Sequence, residues 1–182
     1  MQNAKETCRK IQESYLSLCI CHPDSKVKVK DIMEHAGLSK STFYLNYQNT
    51  GELLAALIDE TASRLCAPFA RQPDGDTPAY DPERGEQFIR NVLSHRQSLL
   101  VFQQQGGTSA LLMHLSYFLR RAIVNRLRGD RCPVPAMTGC ADLLTQGFLQ
   151  TLLQRLENTD QLDELLESNI YLETLLCRIT AA

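Results

Sequence analysis

The sequence predicts an all-α protein, and three observations predict it. Apolar residues recur at spacings of three and four along most of the chain. No segment alternates apolar and polar residues as a half-buried strand would. The interruptions are short stretches rich in Gly, Pro and small polar residues. About nine helices account for the 182 residues. That length suits a small amino-terminal domain over 1–49 joined to a larger helical domain over 50–182.

The elements follow in order. In 4–20, Cys8, Ile11, Tyr15 and Leu18 form one apolar stripe, and Pro23 ends the helix by disfavouring helical backbone at His22. Val29, Ile32, Met33 and Ala36 repeat the spacing, with Gly37 placed as a left-handed cap. Ser39 is an amino-terminal cap for a short helix over 40–47. Asn49 or Thr50 caps the next, which carries Leu53, Leu54, Leu57, Ile58 and Leu65. The stretch "QPDGDTPAYDP" reads as a loop. Helix returns through Phe88, Ile89, Val92 and Leu93, weakens over 95–98, resumes over 99–102 and breaks again at "QQQGGTS". A strong helix over 111–127 ends in arginines, which suit a carboxy-terminal turn. After "GDRCPVP", two helices over about 135–157 and 160–179 complete the chain.

Composition excludes several functions. A hydrophobic fraction of 43% and a charged fraction of 22% are ordinary for a soluble globular protein. The net charge of −2 is not that of a basic nucleic-acid coat. Residues 1–50 nevertheless carry seven basic and five acidic side chains, a balance of +2 that leaves −4 for the rest. None of the seven cysteines forms a Cys-x-x-Cys pair or a zinc-finger spacing. Reduced thiols in a cytoplasmic protein are expected, with no metal and no cofactor. No signal peptide and no apolar run of about 20 residues is present, so no membrane partner is expected. An enzyme would need a nucleophile with its base, paired carboxylates or a phosphate loop. Cys21-His22, the only adjacent thiol–imidazole pair, lies at a helix end before a proline.

The stretch "IMEHAGLSKSTFYLNY" is the informative one. Two helices joined by a short turn containing Gly make a helix-turn-helix unit. Ile32 and Ala36 face the second helix, and Leu38 and Phe43 lie beneath the turn. Ser39, Lys40, Ser41, Thr42 and Tyr44 are then left to point outward from the second helix, where such a unit meets bases and phosphates. Small hydroxyls let a helix sit deep in a groove, and Lys40 can reach a guanine edge or a phosphate. Gly and hydroxyls alone fit an ordinary helical hairpin equally well.

Over about 34 residues, "VKVKDIMEHAGLSKSTFYLNYQNTGELLAALIDE" resembles the amino-terminal domain of TetR/AcrR-type transcriptional regulators. The matching positions are Ile32, Ala36, Gly37, Ser39, Thr42, Phe43, Tyr44 and Glu52-Leu53-Leu54, with Leu38 and Tyr47 conservative. Lys28 stands where the family has a capping Thr, Met33 where it has a small residue, Thr50 where it has a phosphate-contacting Lys, and Asn46 where a His or Tyr is frequent. The resemblance implies DNA contacts from Lys28, Ser39, Lys40, Ser41, Thr42, Tyr44, Asn46 and Thr50. It also implies a homodimer on a palindromic double-stranded operator and a small-molecule effector held by the larger domain. Phe88, Phe102, Met113, His114, Tyr117 and Phe118 are candidates to line the effector cavity, although a Met-aromatic stripe is also what a plain core looks like. The wide apolar faces of the last two helices make Leu144, Phe148, Leu152, Leu165, Ile170 and Leu172 candidates for the dimer interface. Two alternatives stay open: a helical dimeric interaction protein without DNA binding, and a thiol-responsive regulator.

Overall fold

The computed structural model describes residues 2–23, 25–70, 82–129 and 134–158, together with Glu167. Among them are nine helices and no strand: α1 Gln2–Cys21, α2 Val29–Ala36, α3 Lys40–Tyr44, α4 Thr50–Leu65, α5 Ala67–Ala70, α6 Pro82–Ser94, α7 Arg96–Gln104, α8 Thr108–Gly129 and α9 Val134–Asn158. The architecture is all-α, as the periodicity predicts. The described helices differ from the expected set in one place. The one-turn α5 was not expected, because four residues are too few to show a period. The helix expected over 160–179 lies outside the described residues, apart from Glu167. No described helix is long and apolar enough to cross a membrane.

The contacts divide the chain into two units, Met1–Glu60 with Gln97–Ala110, and Thr61–Arg96 with Leu111–Ala182. In the first, Ile11 and Tyr15 of α1, Ile32 and Met33 of α2, Phe43 of α3, and Leu53, Leu57 and Ile58 of α4 are all buried. Met33 is only 1% exposed, so its bulk is absorbed into this core. Gly37 ends α2 at φ 66° and ψ 31°. Its amide donates to Glu34 O at 3.2 Å, and the Leu38 amide donates to Met33 O at 2.9 Å. These bonds satisfy carbonyls that the helix end would otherwise orphan, in a conformation that costs glycine nothing. Past α7, Gly106 takes φ 77° and Gly107 is buried, its amide donating to Phe102 O at 2.6 Å.

In the second unit, the Phe88 ring meets those of Phe69 and Phe148, with centroids 5.6 and 6.3 Å away. Leu65, Ile89, Val92, Leu115, Leu119, Leu149 and Leu152 complete this core. The weakness expected near 95–98 is a true break between α6 and α7. There His95 Nδ1 and Ser94 Oγ both bond the carbonyl of Asn91, at 2.9 and 2.8 Å. Arg96 Nε donates to the carbonyl of Leu156 at 3.2 Å, placing a cation on the last turns of α9. Arg120 pairs with Asp142, and Gln146 Nε2 donates to Ser116 Oγ at 3.3 Å, tying α8 to α9. Five of the cysteines lie among the described residues, and all are free thiols. Burial pushes the Cys66 thiol up to about 12 and raises Cys19 too, which keeps both protonated.

Candidate nucleic-acid interface

The turn between α2 and α3 is built from local chemistry. Ser39 is extended, at φ −81° and ψ 151°, and its Oγ accepts the Thr42 amide at 3.3 Å. The same Oγ lies 2.7 Å from Ser41 Oγ and 2.9 Å from Thr42 Oγ1. Three hydroxyls therefore cluster at the start of a helix only five residues long. Phe43 is fully buried and fixes that helix to the core, with Tyr44 against it edge-on at 5.5 Å and Tyr47 at 5.7 Å.

The outward face is as the helical period predicts. Ser39, Lys40 and Ser41 are exposed, Thr42 is half-buried, and Tyr44 is 61% exposed. Lys40 meets no carboxylate among the described residues. Leu45, absent from the expected contacts, is 85% exposed. Its position one residue past Tyr44, off the Phe43–Tyr47 stripe, was the available signal. Lys28 is exposed and its side chain, having no acceptor, cannot cap α2. Only the reciprocal bond forms, from the Lys28 amide to Asp31 Oδ2 at 3.3 Å. Thr50 is the half-buried first residue of α4. The cap there is Asn49, whose Oδ1 accepts the Glu52 amide at 2.9 Å, while Glu52 Oε2 accepts the Gln48 amide at 2.6 Å.

Asn46 sits differently from the other candidate contacts. It is half-buried, and its side chain bonds Thr42 O at 2.7 Å and the Cys8 thiol at 3.2 Å. Tyr47 beside it is buried. Its phenol is pushed up to about 12, chiefly by burial and then by the neighbouring Cys8, with Gln12 acting in the opposite direction. It therefore remains a neutral group at physiological pH. On α1, Arg9 is bracketed by Glu6 and Glu13, each at 2.6 Å, so its charge is largely compensated.

The other candidates fall in varied settings. Phe88 is buried in the second unit and Phe102 in the first. His114 and Phe118 are half-buried, while Met113 and Tyr117 are 65% and 64% exposed. Leu144 is half-buried; Phe148 and Leu152 are buried within the chain. Leu165, Ile170 and Leu172 lie outside the described residues. No group of three or more His, Cys, Asp or Glu side chains among the described residues has the arrangement of a metal site.

No family model and no curated relative matches the chain. Solved structures do. A TerR/AcrR family transcriptional regulator from Aquifex aeolicus VF5 superimposes with a TM-score of 0.68 at 19% identity, covering 95% of this chain and 99% of that one. A TetR family transcription regulator from Marinobacter aquaeolei VT8 matches more loosely, with a TM-score of 0.49 at 19% identity over 83% of this chain and 88% of that one. Together with the short α3 presented on its helix-turn-helix core, the first of these matches shows that the chain has the all-helical fold of the TetR/AcrR-type transcriptional regulators.

Proposed function

We propose that the chain is a DNA-binding transcriptional regulator, a repressor that binds a palindromic operator as a homodimer. The observation that carries this reading is the face of α3. Lys40, Ser41 and Tyr44 are exposed on a short helix whose opposite side is held by the fully buried Phe43. A helix docked this way can enter a major groove, with Ser39, Lys40 and Ser41 toward base edges and Tyr44 and Lys28 toward phosphates. Two copies spaced by about 34–36 Å would read successive grooves. Selection from a random-sequence duplex pool tests the reading. The expected product is a palindrome whose half-sites lie about one helical turn apart; a pool that gains no common sequence refutes it.

The larger helical body supports an effector-responsive mechanism, in which ligand binding there changes operator affinity. The Thr145 hydroxyl on α9 is 1% exposed and has no hydrogen-bond partner among the described residues. A buried unsatisfied hydroxyl is costly, and a polar ligand atom reaching it would remove that cost. Such a regulator works without chemistry on its ligand, so no catalytic role is proposed.

Thr50 favours a second reading, an interaction protein that no longer binds DNA. The start of α4 offers phosphate a hydroxyl and backbone amides in place of a lysine, and Glu52 already brings a carboxylate to that turn. On the DNA-binding reading, Thr50→Lys adds one phosphate contact per protomer. The slope of log K against log salt then steepens by about 0.9 for each added contact, with tighter binding at low salt. Anisotropy at several salt concentrations measures it; an unchanged slope places residue 50 away from the backbone.

A further inference from the structure

We infer that Asn46 is a positioning residue for α3 rather than a DNA contact, and that Cys8 on α1 is the other half of the same device. The inference rests on the DNA-binding reading above. The backbone at the end of α3 supplies the reason. The Asn46 amide does not close the helical bond to Thr42 O; it donates to Phe43 O at 2.8 Å, as does the Tyr47 amide. The Thr42 carbonyl would be left as an orphan of the helix end. The Asn46 side chain takes that place, with Nδ2 donating to Thr42 O at 2.7 Å. Only this orientation of the amide works, because a carbonyl accepts and does not donate. It leaves Oδ1 facing α1, where the Cys8 thiol donates to it across 3.2 Å from 38 residues away in sequence.

The result is a polar chain running from α1, through Cys8 and Asn46, into the backbone of α3. A helix of five residues has little stability of its own, so its orientation is set by what holds its ends. Phe43 fixes it from below. The Ser39 hydroxyl closes its start, and the Asn46–Cys8 link closes its end. Lys40 and Tyr44 lie between these two fastenings, so loosening the second moves them relative to a groove without removing any group that meets DNA.

The test uses the full chain with Asn46→Ala, Cys8→Ala, their double variant and Cys8→Ser. Each is titrated by anisotropy against the duplex selected by the wild type and against a scrambled duplex. The expected loss of the selected-to-scrambled affinity ratio is about three- to tenfold for Asn46→Ala, which breaks the bond to Thr42 O, and about twofold for Cys8→Ala, which removes only a weak thiol donor. The double variant loses no more than the larger single loss, because both remove one link. Cys8→Ser, which keeps a donor, retains most of the ratio. If Asn46→Ala lowers the ratio while Cys8→Ala leaves it unchanged, Cys8 is no part of the device and the inference as stated fails. Hydrogen exchange of the free protein reads the anchor without DNA. Faster exchange over 40–47 in Asn46→Ala, with α4 unchanged, is expected, and unaltered exchange there overturns the inference. A wild type that selects no duplex refutes the DNA-binding reading instead, and the functional half of this inference falls with it.

Discussion

Phe43→Ala is expected to destabilise the first unit by about 3–5 kcal/mol, the range for deleting a buried aromatic ring. Phe43 is 0% exposed, and its ring lies 5.5 Å from that of Tyr44 and 5.7 Å from that of Tyr47. The helix that carries it has five residues and no second fully buried side chain. A larger helix would spread such a loss over several anchors, whereas α3 has one. Urea denaturation of the full chain, followed by hydrogen exchange over 29–47, measures the effect. Since net stabilities of whole domains are about 5–15 kcal/mol, this loss should leave α3 largely unprotected. A loss below about 1 kcal/mol would mean that α3 is held mainly by its polar fastenings.

The second large effect is expected at Gly107. A Cβ there would come within 2.6 Å of Ile58 Cδ1 and 3.1 Å of the Phe102 carbonyl oxygen. Ile58 is 2% exposed and has little room to give, and the Phe102 carbonyl already accepts the Gly107 amide at 2.6 Å. Gly107→Ala should therefore cost about 1–3 kcal/mol through overpacking. The cause is separable from any backbone effect. Ile58→Val removes the clashing methyl, so Gly107→Ala in that background should cost less than in the wild type. Equal cost in both backgrounds would shift the cause to the turn itself. This glycine belongs to the "QQQGGTS" break, which the sequence shows only as an interruption; its close approach to α4 is a tertiary fact.

The fold was legible where local chemistry and periodicity agree. Ile32, Met33 and Ala36 mark α2, Gly37 can take the left-handed cap, and Ser39 starts α3, so the helix-turn-helix could be read directly from residues 29–44. The outward set of Ser39, Lys40, Ser41, Thr42 and Tyr44 followed from the helical period, and of these Thr42 alone is half-buried. Asn46 resisted the same reading. Its position suits an outward contact, but its side chain turns toward Cys8, and no local pattern announces a partner 38 residues earlier. Leu45, an apolar residue with no expected contact, is 85% exposed. Met113 and Tyr117 show the opposite ambiguity. A Met-aromatic stripe at helical spacing defines a face but not what that face meets, and both side chains stand at the surface of their unit.

The most direct measurement is fluorescence anisotropy of the wild type and a Lys40→Ala/Tyr44→Ala double variant on the selected duplex and on a scrambled one, over a salt series. Both side chains are exposed on α3, so their removal should leave the fold intact while deleting a charge and a hydroxyl from the groove face. The account predicts salt-sensitive, sequence-specific binding by the wild type. In the folded double variant, specific affinity should fall toward the non-specific level, at least tenfold. Undiminished specific binding by that variant would contradict the account, because α3 would then not be the element that reads DNA.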